Sequence, residues 1–493
     1  MSGIAGVIEL KGSKKDKQKI NILLDKISHR GSKREILGIS GGYIGINTSY
    51  DFETRVGQNI VLMDGRIYNL DHLMTEYNIQ ENNSLISDSE KICLLLNKAG
   101  KNIFRDFKGS FALVIVDKEE NIYLVRDFIG TKPLYYYKDG KTLMFASEVK
   151  SLIGFTSDIK EFPPGSCMVN LSKPKIIKEV NMDNYTIIDD QDSVALEDTL
   201  EKYLLKSIDT RIANNNLKLG VWLSGGIDSS IVAALLKEFA DKVYTYSVGH
   251  EGSPDLEAAK VVSDYLGTTH TECMLDTEEL FTNIPKAIYH LESFDTPLVR
   301  STLGNMIVSK ISAPSDIVFS GEGGDELFAG YNYFLEYNSS RVIQKECVNA
   351  INSLHNTALQ RVDRTSNAYG VNIKLPMLDE NLLDYVLKIP PKNKVRKDKN
   401  TGKYILRKVA SKYLPDDIAW RSKDKFWEGA GIKNTLEEKI NTTITDKEFS
   451  DNIESSDGPT LRNKEEAYYY RIFKDYYPDV NIEDILSFTQ DFN

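Results

Sequence analysis

Ser224-Gly225-Gly226-Ile227-Asp228-Ser229-Ser230 is the most informative segment for the fold of the carboxyl-terminal half of the chain. It follows an apolar run, Leu219–Leu223, and leads into a helical pattern at Ser229–Phe239, after which a second apolar run covers Val243–Val248. A strand, a glycine loop, a helix and a strand in this order predict a βαβ unit and therefore a parallel sheet. Small residues between a buried strand and a helix let N–H groups and hydroxyls surround an anion, so this loop is expected to hold phosphate.

Two better-known phosphate motifs are excluded here. The loop has neither the GxxxxGK[ST] lysine of a P-loop nor the GxGxxG of a dinucleotide-binding fold. A tight strand-to-helix turn that uses glycine only for steric reasons is the simpler alternative, and the Asp-Ser-Ser after the glycines argues against it. Another apolar run, Asp316–Ser320, ends at a second glycine-rich loop, and helical patterns dominate from there to the end.

The stretch SGGIDSS resembles the pyrophosphate loop of N-type ATP pyrophosphatases, which cleave ATP between its α and β phosphates. Three further regions narrow the resemblance to the asparagine synthetase family, in matching order and spacing: parts of Ser247–Thr268, Ser320–Tyr331 (SGEGGDELFAGY) and Trp420–Phe426 (WRSKDKF). The resemblance implies a parallel-sheet ATP pyrophosphatase domain, similar to adenine nucleotide α-hydrolases and with a helical extension, over residues 186–493.

The same resemblance implies where ATP and Mg²⁺ bind. Asp228 and Asp325, one after each glycine loop, would hold Mg²⁺, because adenylation of a carboxylate builds negative charge on phosphorus and requires a cation with hard oxygen ligands. ATP and Mg²⁺ are therefore the expected cofactors. The residues expected to bind the nucleotide are Leu223, Ser224, Gly225, Gly226, Asp228, Ser229, Ser230, Val248, Gly249, Ser320 and Gly321.

Glu322, in the second glycine loop, is a candidate general base. An anionic group beside an acyl-adenylate suits the deprotonation of an incoming ammonium. Glutamate at this position matches asparagine synthetases, whereas the related β-lactam synthetases place tyrosine there. The alternatives are a cap at a helix N-terminus and a further charge near the metal.

Several basic positions are candidates for binding phosphate. By resemblance, Lys423 would stabilise the charge that develops near the α-phosphate, and Arg300 would bind pyrophosphate or a carboxylate. A solvated surface charge is the alternative for both. Thr401-Gly402-Lys403, after the basic run Lys392–Lys399, either closes over ATP or is a solvated loop.

The first 180 or so residues have a different pattern, with short strands between turns and two helical segments, Lys19–Ile27 and Glu90–Leu96. The last two strands are expected to form a hairpin through Asp139-Gly140, because this pair tolerates the positive φ angles of a two-residue turn. A polar, turn-prone stretch at residues 183–194 is the candidate linker.

This amino-terminal part resembles the amidotransferase domain of the same family. The resemblance implies an amino-terminal-nucleophile (Ntn) type sandwich of two antiparallel sheets with helices over residues 1–185, so the whole chain combines α+β and α/β domains. The segments that carry it, in family order, are His29–Gly31, Asp64–Asn69, Ser87–Glu90, Arg126–Tyr135 and Phe145–Glu148.

The glutamine-hydrolysing chemistry of that domain is expected to be lost. Ser2 stands where the family has a nucleophilic cysteine, and a thiol ionises far more readily near neutral pH. Asp64 replaces the asparagine of the oxyanion hole, where its carboxylate would repel the charge that should be stabilised. Arg66 replaces a glutamate that helps hold glutamine, and Gly45–Tyr50 lacks the arginine that clamps the glutamine carboxylate. Only Asp88 is retained.

We therefore expect an ATP-dependent ligase that adenylates a carboxylate and transfers ammonia to it, releasing AMP and pyrophosphate, without its own glutaminase activity. Aspartate is the default carboxylate. The acceptor segment Pro297-Leu298-Val299-Arg300-Ser301-Thr302 departs from the family's Thr-Thr-Ile-Arg-Ala-Ser, however, and two hydroxyl donors become apolar. A ligase that joins another carboxylate to an amine in a specialised pathway stays open, as does a homologue that binds ATP without catalysis.

Composition restricts the partners and the location. The 493 residues carry 61 basic and 72 acidic side chains, a formal charge of −11, which disfavours nucleic acid and anionic membranes. We find no signal-peptide pattern and no 18-residue apolar run. Four scattered cysteines fit neither a zinc spacing nor a disulfide framework, in keeping with the cytoplasm. The expected partners are a small-molecule carboxylate and ammonia or an amine, and a homodimer is left open.

Overall fold

The computed structural model describes residues 1–9, 17–79, 86–188, 193–212, 217–422, 432–453 and 459–489. These residues form two compact units. The first unit contains Met1–Glu179 and Tyr477–Ser487, and the second contains Val180–Tyr476 with Phe488 and Thr489. The domain bounds of 1–185 and 186–493 stay a prediction. Asp189–Asp192, in the expected linker, lies outside the described residues.

The strands of the described chain are β1 (Ser2–Glu9), β2 (Lys33–Ile39), β3 (Gly42–Thr48), β4 (Arg55–Val56), β5 (Asn59–Ile67), β6 (Gly109–Val116), β7 (Ile122–Arg126), β8 (Tyr135–Lys138), β9 (Thr142–Ala146), β10 (Lys160–Glu161), β11 (Ser166–Val169), β12 (Lys175–Ile176), β13 (Leu219–Trp222), β14 (Val243–Gly249), β15 (Thr269–Met274), β16 (Ile317–Phe319) and β17 (Ile373–Lys374).

The α-helices of the described chain are α1 (Lys17–Lys26), α2 (Leu70–Glu76), α3 (Asp88–Ala99), α4 (Val149–Leu152), α5 (Ser193–Asp209), α6 (Ile227–Leu236), α7 (Pro254–Leu266), α8 (Thr277–Thr282), α9 (Ile284–Leu291), α10 (Thr296–Ser312), α11 (Gly324–Phe328), α12 (Ser340–Asn352), α13 (Ala358–Ala368), α14 (Glu380–Lys388), α15 (Tyr404–Ala410), α16 (Asp416–Ala419), α17 (Ile432–Thr443), α18 (Asp446–Ile453) and α19 (Lys464–Tyr476).

The first unit is a sandwich of two six-stranded antiparallel sheets, in the orders β10-β8-β9-β1-β3-β2 and β12-β11-β7-β6-β5-β4. Successive side chains of a strand point to opposite faces, so β5 contributes Leu62 to the core between the sheets and Met63 to a second core beneath α2 and α3. Helices α1 and α4 pack on the other sheet. The predicted Ntn-type sandwich with helices is confirmed.

The second unit is built on a parallel sheet in the order β15-β14-β13-β16-β17, which confirms the predicted α/β fold. The chain leaves β13 in one direction to form β14 and β15, and later returns to the opposite side of β13 as β16. The connections after β13 and β16 therefore diverge at a topological switch point, where open parallel sheets bind ligands. The first glycine loop (Ser224–Gly226) follows β13, and the second glycine loop (Ser320–Gly324) follows β16.

The hairpin of β8 and β9 forms as predicted, but its turn is different. Lys138 pairs with Leu143, so the connection is longer than two residues, and Gly140 does not take a positive φ. The Asp139 side chain accepts hydrogen bonds from the N–H groups of Lys141 at 2.7 Å and Thr142 at 2.6 Å. The turn is thus stabilised by hydrogen bonds to the Asp139 side chain, and not by a positive φ angle at Gly140.

None of the helices in the described ranges is both long enough and apolar enough to cross a membrane.

Candidate active site

The first glycine loop connects β13 to α6 at the carboxyl edge of the parallel sheet. Gly225 has a φ of +70°, which glycine adopts without strain, and a methyl group there would lie 2.5 Å from Ala258 Cβ. The Ser229 hydroxyl accepts from the Ser224 N–H at 3.2 Å and donates to the Gly226 carbonyl at 3.1 Å. The loop is therefore held against the N-terminus of α6, whose free N–H groups suit an anion.

The second glycine loop lies directly against the first, because β16 pairs with β13. A methyl group on Gly321 would lie 2.7 Å from backbone atoms of both Asp228 and Ser229. One on Gly324 would lie 2.4 Å from Asp228 Oδ1. The two loops are in contact at a distance that only glycine allows.

This contact brings Asp228 and Asp325 to a common point. Both carboxylates form ion pairs with the Lys403 ammonium, which lies 2.8 Å from Asp325 Oδ1. Lys403 is 2% exposed. Burial by itself lowers the pKa of Lys403, but the two carboxylates outweigh burial and the net shift is upward, so the ammonium stays charged.

The two carboxylates fit a magnesium site in the type of their donors. Mg²⁺ is usually bound by one or two carboxylates, and water and substrate phosphates complete its shell. Within the part of the chain that the structure describes, no group of three or more His, Cys, Asp or Glu side chains is placed to hold a metal. A cation, the Lys403 ammonium, does lie between Asp228 and Asp325. Their role as Mg²⁺ ligands stays a prediction.

Glu322 forms an ion pair with Arg361 of α13. The pair fixes the orientation of the Glu322 carboxylate at the edge of the second glycine loop. Gly323, not Glu322, is the N-cap residue of α11, and no side chain caps that helix. The helix-cap alternative for Glu322 is therefore wrong, while its role as a general base stays a prediction.

Glu326, in the first turn of α11, adds a buried acid next to the second glycine loop. It accepts a hydrogen bond from the Tyr331 hydroxyl and is 6% exposed. Burial, and then the charge of Asp325, raises the pKa of Glu326, so a proton neutralises it at a higher pH than an exposed glutamate. Nothing in the sequence distinguishes this residue from the other acidic residues of its motif.

Arg300 is held by a carboxylate of the protein itself. Its Nε and Nη2 atoms donate to the two oxygens of Glu465 in α19, at 2.9 and 2.5 Å, and the Tyr469 hydroxyl donates to the same carboxylate at 2.6 Å. Arg300 is 8% exposed, so the solvated-charge alternative is wrong for it. A role in binding pyrophosphate or a substrate carboxylate stays a prediction, and in that role Arg300 would share its guanidinium with Glu465.

Replacing Glu465 with glutamine is expected to lower the free energy of unfolding by about 3–5 kcal/mol, because it removes the buried counter-charge of a buried guanidinium. Urea denaturation would measure the loss. The matched control is Glu437→Gln, since Glu437 lies 3.7 Å from the same guanidinium but is 49% exposed. That exposed pair is expected to contribute no more than about 1 kcal/mol. Equal losses in the two variants would contradict a buried pair.

Other residues expected to bind the nucleotide lie at the ends of β13 and β14. The Leu223 N–H donates to the Tyr246 carbonyl at 2.9 Å, which extends the sheet to the edge of the first glycine loop. Val248 is buried, and a methyl group on Gly249 would lie 2.5 Å from Ser253 Oγ. Ser230 differs from these, since it is fully buried within α6 and its hydroxyl faces the protein interior.

Lys423 falls in residues 423–431, outside the described residues. The chain just before it is anchored near the site. Arg407 donates to the carbonyls of Gly402 at 3.0 Å, Ala419 at 2.8 Å and Arg421 at 2.9 Å. Burial lowers the pKa of Arg407, while the charges of Asp228 and Asp325 act in the opposite direction.

In the first unit, the residues of the expected glutaminase site form a buried charge network. Arg30 donates to Asp64 at 2.9 Å, to Glu148 at 2.5 Å and to the Ser2 carbonyl at 3.2 Å. Arg30, Asp64 and Glu148 are all fully buried. The Ser2 hydroxyl donates to the Met63 carbonyl at 3.0 Å. The buried charges of Arg30 and Asp64 thus balance each other in this ion pair.

Tyr50 lies at the end of the segment that lacks the expected arginine clamp. Burial, followed by the charge of Asp64, raises the pKa of Tyr50, with smaller opposing contributions from Lys132 and Ser2. The Tyr50 hydroxyl therefore lies near Ser2 and Asp64, and the segment Gly45–Tyr50 contributes no cation to them. The two remaining residues of the expected glutaminase site differ in exposure. Arg66 in β5 is exposed, and Asp88 in the first turn of α3 is half-buried.

Three partners of the site residues were not identified from the sequence alone: Lys403 as a partner of the aspartates, Arg361 and Glu465. Lys403 had a signal in Gly402-Lys403, and the solvated-loop alternative for it is wrong. Arg361 and Glu465 had none, because ion pairs between segments far apart in sequence are set by tertiary packing.

Comparisons with known proteins agree with this arrangement. A family model described as asparagine synthase matches residues 199–345 and 336–478, and one described as a glutamine amidotransferase domain matches residues 1–175. Asparagine synthetase B [glutamine-hydrolyzing] of Escherichia coli (strain K12) is 32% identical over 440 residues, or 85% of this chain and 79% of that protein. Asparagine synthetase [glutamine-hydrolyzing] of Rattus norvegicus is 31% identical over 458 residues, covering 84% and 81%.

Proposed function

The chain belongs to the asparagine synthetase family of carbon–nitrogen ligases, and we propose that it activates a small carboxylate with ATP and joins it to ammonia, without hydrolysing glutamine itself. Family membership supports ATP-dependent amide ligation as the reaction class. The finer assignments, which are the carboxylate, the source of nitrogen and the residues that act, rest on the local structure.

The observation that carries the proposal is the convergence of the two glycine loops at the switch point between β13 and β16. One loop offers hydroxyls and N–H groups at the start of α6, and the other brings Asp325 next to Asp228. Phosphate groups need the first arrangement and a divalent cation needs the second. Such a site suits cleavage of ATP at its α-phosphorus.

In the proposed reaction, a substrate carboxylate oxygen attacks the α-phosphorus of ATP and pyrophosphate leaves, which gives an acyl-adenylate. Ammonia then attacks the acyl carbon, and AMP leaves as the amide forms. Mg²⁺ held by Asp228 and Asp325 would neutralise charge on the phosphates. Glu322, oriented by Arg361, accepts a proton from the incoming ammonium, and Lys423 stabilises the developing negative charge.

Aspartate is the default carboxylate, but the structure favours keeping a second candidate. Leu298 and Val299 of the acceptor segment are buried and apolar, and Arg300 beside them is already paired with Glu465. A substrate that needs hydroxyl donors and a free guanidinium loses both at these positions. A different, less polar carboxylate is therefore the second candidate.

Pyrophosphate release is the experiment that tests the proposal. The protein would be incubated with ATP, Mg²⁺ and ammonium, and with a panel of carboxylates that contains aspartate, its shorter and longer homologues and apolar acids. We expect release to depend on one carboxylate. Release with aspartate assigns the default substrate, and release with another acid assigns the second candidate. Silence with every carboxylate would contradict the ligase and favour a homologue that binds ATP without catalysis.

A further inference from the structure

Three segments that are far apart in sequence meet around the side chain of Lys403. The Lys403 N–H donates to the Phe328 carbonyl at 3.2 Å, and a methyl group on Gly402 would lie 2.5 Å from the Ala329 carbonyl oxygen. The start of α15 is thereby fixed to the end of α11. This contact sets the point from which the Lys403 side chain enters the site.

The aliphatic part of Lys403 runs across Gly330 to the aspartates. A methyl group on Gly330 would lie 2.0 Å from Lys403 Cε and 2.2 Å from Asp325 Oδ1. The backbone is also unusual on both sides of this contact, since Lys403 and Ala329 each have a φ of +56°. Residues other than glycine hold such a conformation only where the surrounding structure imposes it. The route of the ammonium to the carboxylates is therefore built into the fold.

We propose that Lys403 is a built-in counter-ion that joins Asp228 and Asp325 in the nucleotide-free protein and competes with the divalent cation for them. The inference rests on the proposed function to the extent that these two aspartates are the metal ligands. An ammonium that lies between the two carboxylates occupies space that a metal ion would need, and the positive charges of the two cations repel each other.

Competition couples the binding of the metal to the binding of the nucleotide. In the nucleotide-free protein, a metal ion has to displace a buried ammonium that would be left without a counter-charge. When ATP is present, its phosphates offer the displaced ammonium a new anionic partner. The metal is therefore expected to bind weakly alone and strongly with the nucleotide, a coupling that is reciprocal between the two ligands.

Mn²⁺ binding to the full-length protein without nucleotide tests this competition, with the electron paramagnetic resonance signal of free Mn²⁺ as the readout. Lys403→Met is expected to bind Mn²⁺ about 10-fold more tightly than the wild type. Lys403→Arg keeps a cation and should bind as weakly as the wild type. The matched control is Lys397→Met, because Lys397 is exposed in the same segment and contacts Asn338. Its Mn²⁺ affinity should not change.

The outcomes separate the inference from the proposed function. If a non-hydrolysable ATP analogue promotes Mn²⁺ binding in the wild type, but Lys403→Met binds Mn²⁺ no more tightly than the wild type without nucleotide, only the inference is overturned. If no variant binds Mn²⁺ with or without the analogue, the metal site itself fails, and the inference fails with it. Should Lys403→Met not fold, tight nucleotide-free binding of Mn²⁺ by the wild type or by Lys403→Arg would overturn the inference.

Discussion

Replacing Asp325 with asparagine is expected to lower the rate of pyrophosphate release by a factor of about 100–1,000 while the protein stays folded. Asparagine has nearly the same shape but no charge, so it cannot supply the anionic oxygen that a divalent cation needs at the reaction centre. Folding is retained because the Lys403 ammonium keeps its ion pair with Asp228. The initial rate of pyrophosphate release and thermal unfolding would be measured on the same preparation.

Asp316→Asn is the matched control for this variant. Asp316 precedes β16 at the amino edge of the sheet, whereas Asp325 follows β16 at the carboxyl edge. Its carboxylate accepts a hydrogen bond from the Lys218 N–H at 2.7 Å, so its loss affects stability and not the reaction centre. We expect a slightly lower unfolding temperature and an unchanged rate. A folded Asp325→Asn protein that releases pyrophosphate at the wild-type rate would show that the carboxylate pair is not at the site of chemistry.

The double variant Asp228→Asn/Asp325→Asn separates charge at the reaction centre from charge in the fold. It leaves the Lys403 ammonium, which is 2% exposed, without either carboxylate. Removing the partners of a buried charge typically costs about 3–5 kcal/mol. The double variant should therefore unfold at a clearly lower temperature than either single variant.

In the second unit, the site residues that could be predicted are those whose neighbours in the sequence form a recognisable motif. A glycine loop between an apolar strand and a helix specifies its own conformation. The helix α6 starts at Ile227, two residues before the predicted Ser229, so Asp228 lies in the first turn of the helix. Which strand would pair with β13 was not specified locally. The pairing of β16 with β13 is what joins the two loops, and it depends on how the helices between them pack.

Charge partners were the part that the sequence could not supply. Glu465 is more than 160 residues from Arg300, and Arg361 pairs with Glu322 across a different element. From the sequence alone, a charged side chain can be expected to face solvent, to bind a substrate or to pair with another side chain. Only burial separates these alternatives, and burial is a property of the folded chain.

Ammonium, and not glutamine, is expected to support amide formation. In the first unit the side chain at the oxyanion position is Asp64, a fully buried carboxylate that forms an ion pair with Arg30. A second negative charge on a tetrahedral intermediate beside Asp64 would be repelled, and loss of one oxyanion donor alone typically costs a factor of about 100–1,000 in rate. The measurement compares amide formed and glutamate released with equal concentrations of the two nitrogen sources. Glutamine should give no more product than a reaction without a donor.

Variants of the two altered positions identify the cause of this difference. Ser2→Cys supplies the more reactive thiol but keeps the carboxylate of Asp64, so it should release no glutamate from glutamine. Asp64→Asn removes the repulsion but keeps the serine. It also removes one carboxylate partner of buried Arg30, which keeps its ion pair with Glu148. Neither variant should change the ammonium-dependent rate. Release of glutamate by Ser2→Cys alone would show that Asp64 does not repel the oxyanion, and equal rates with glutamine and ammonium in the wild type would overturn the proposed loss of glutaminase activity.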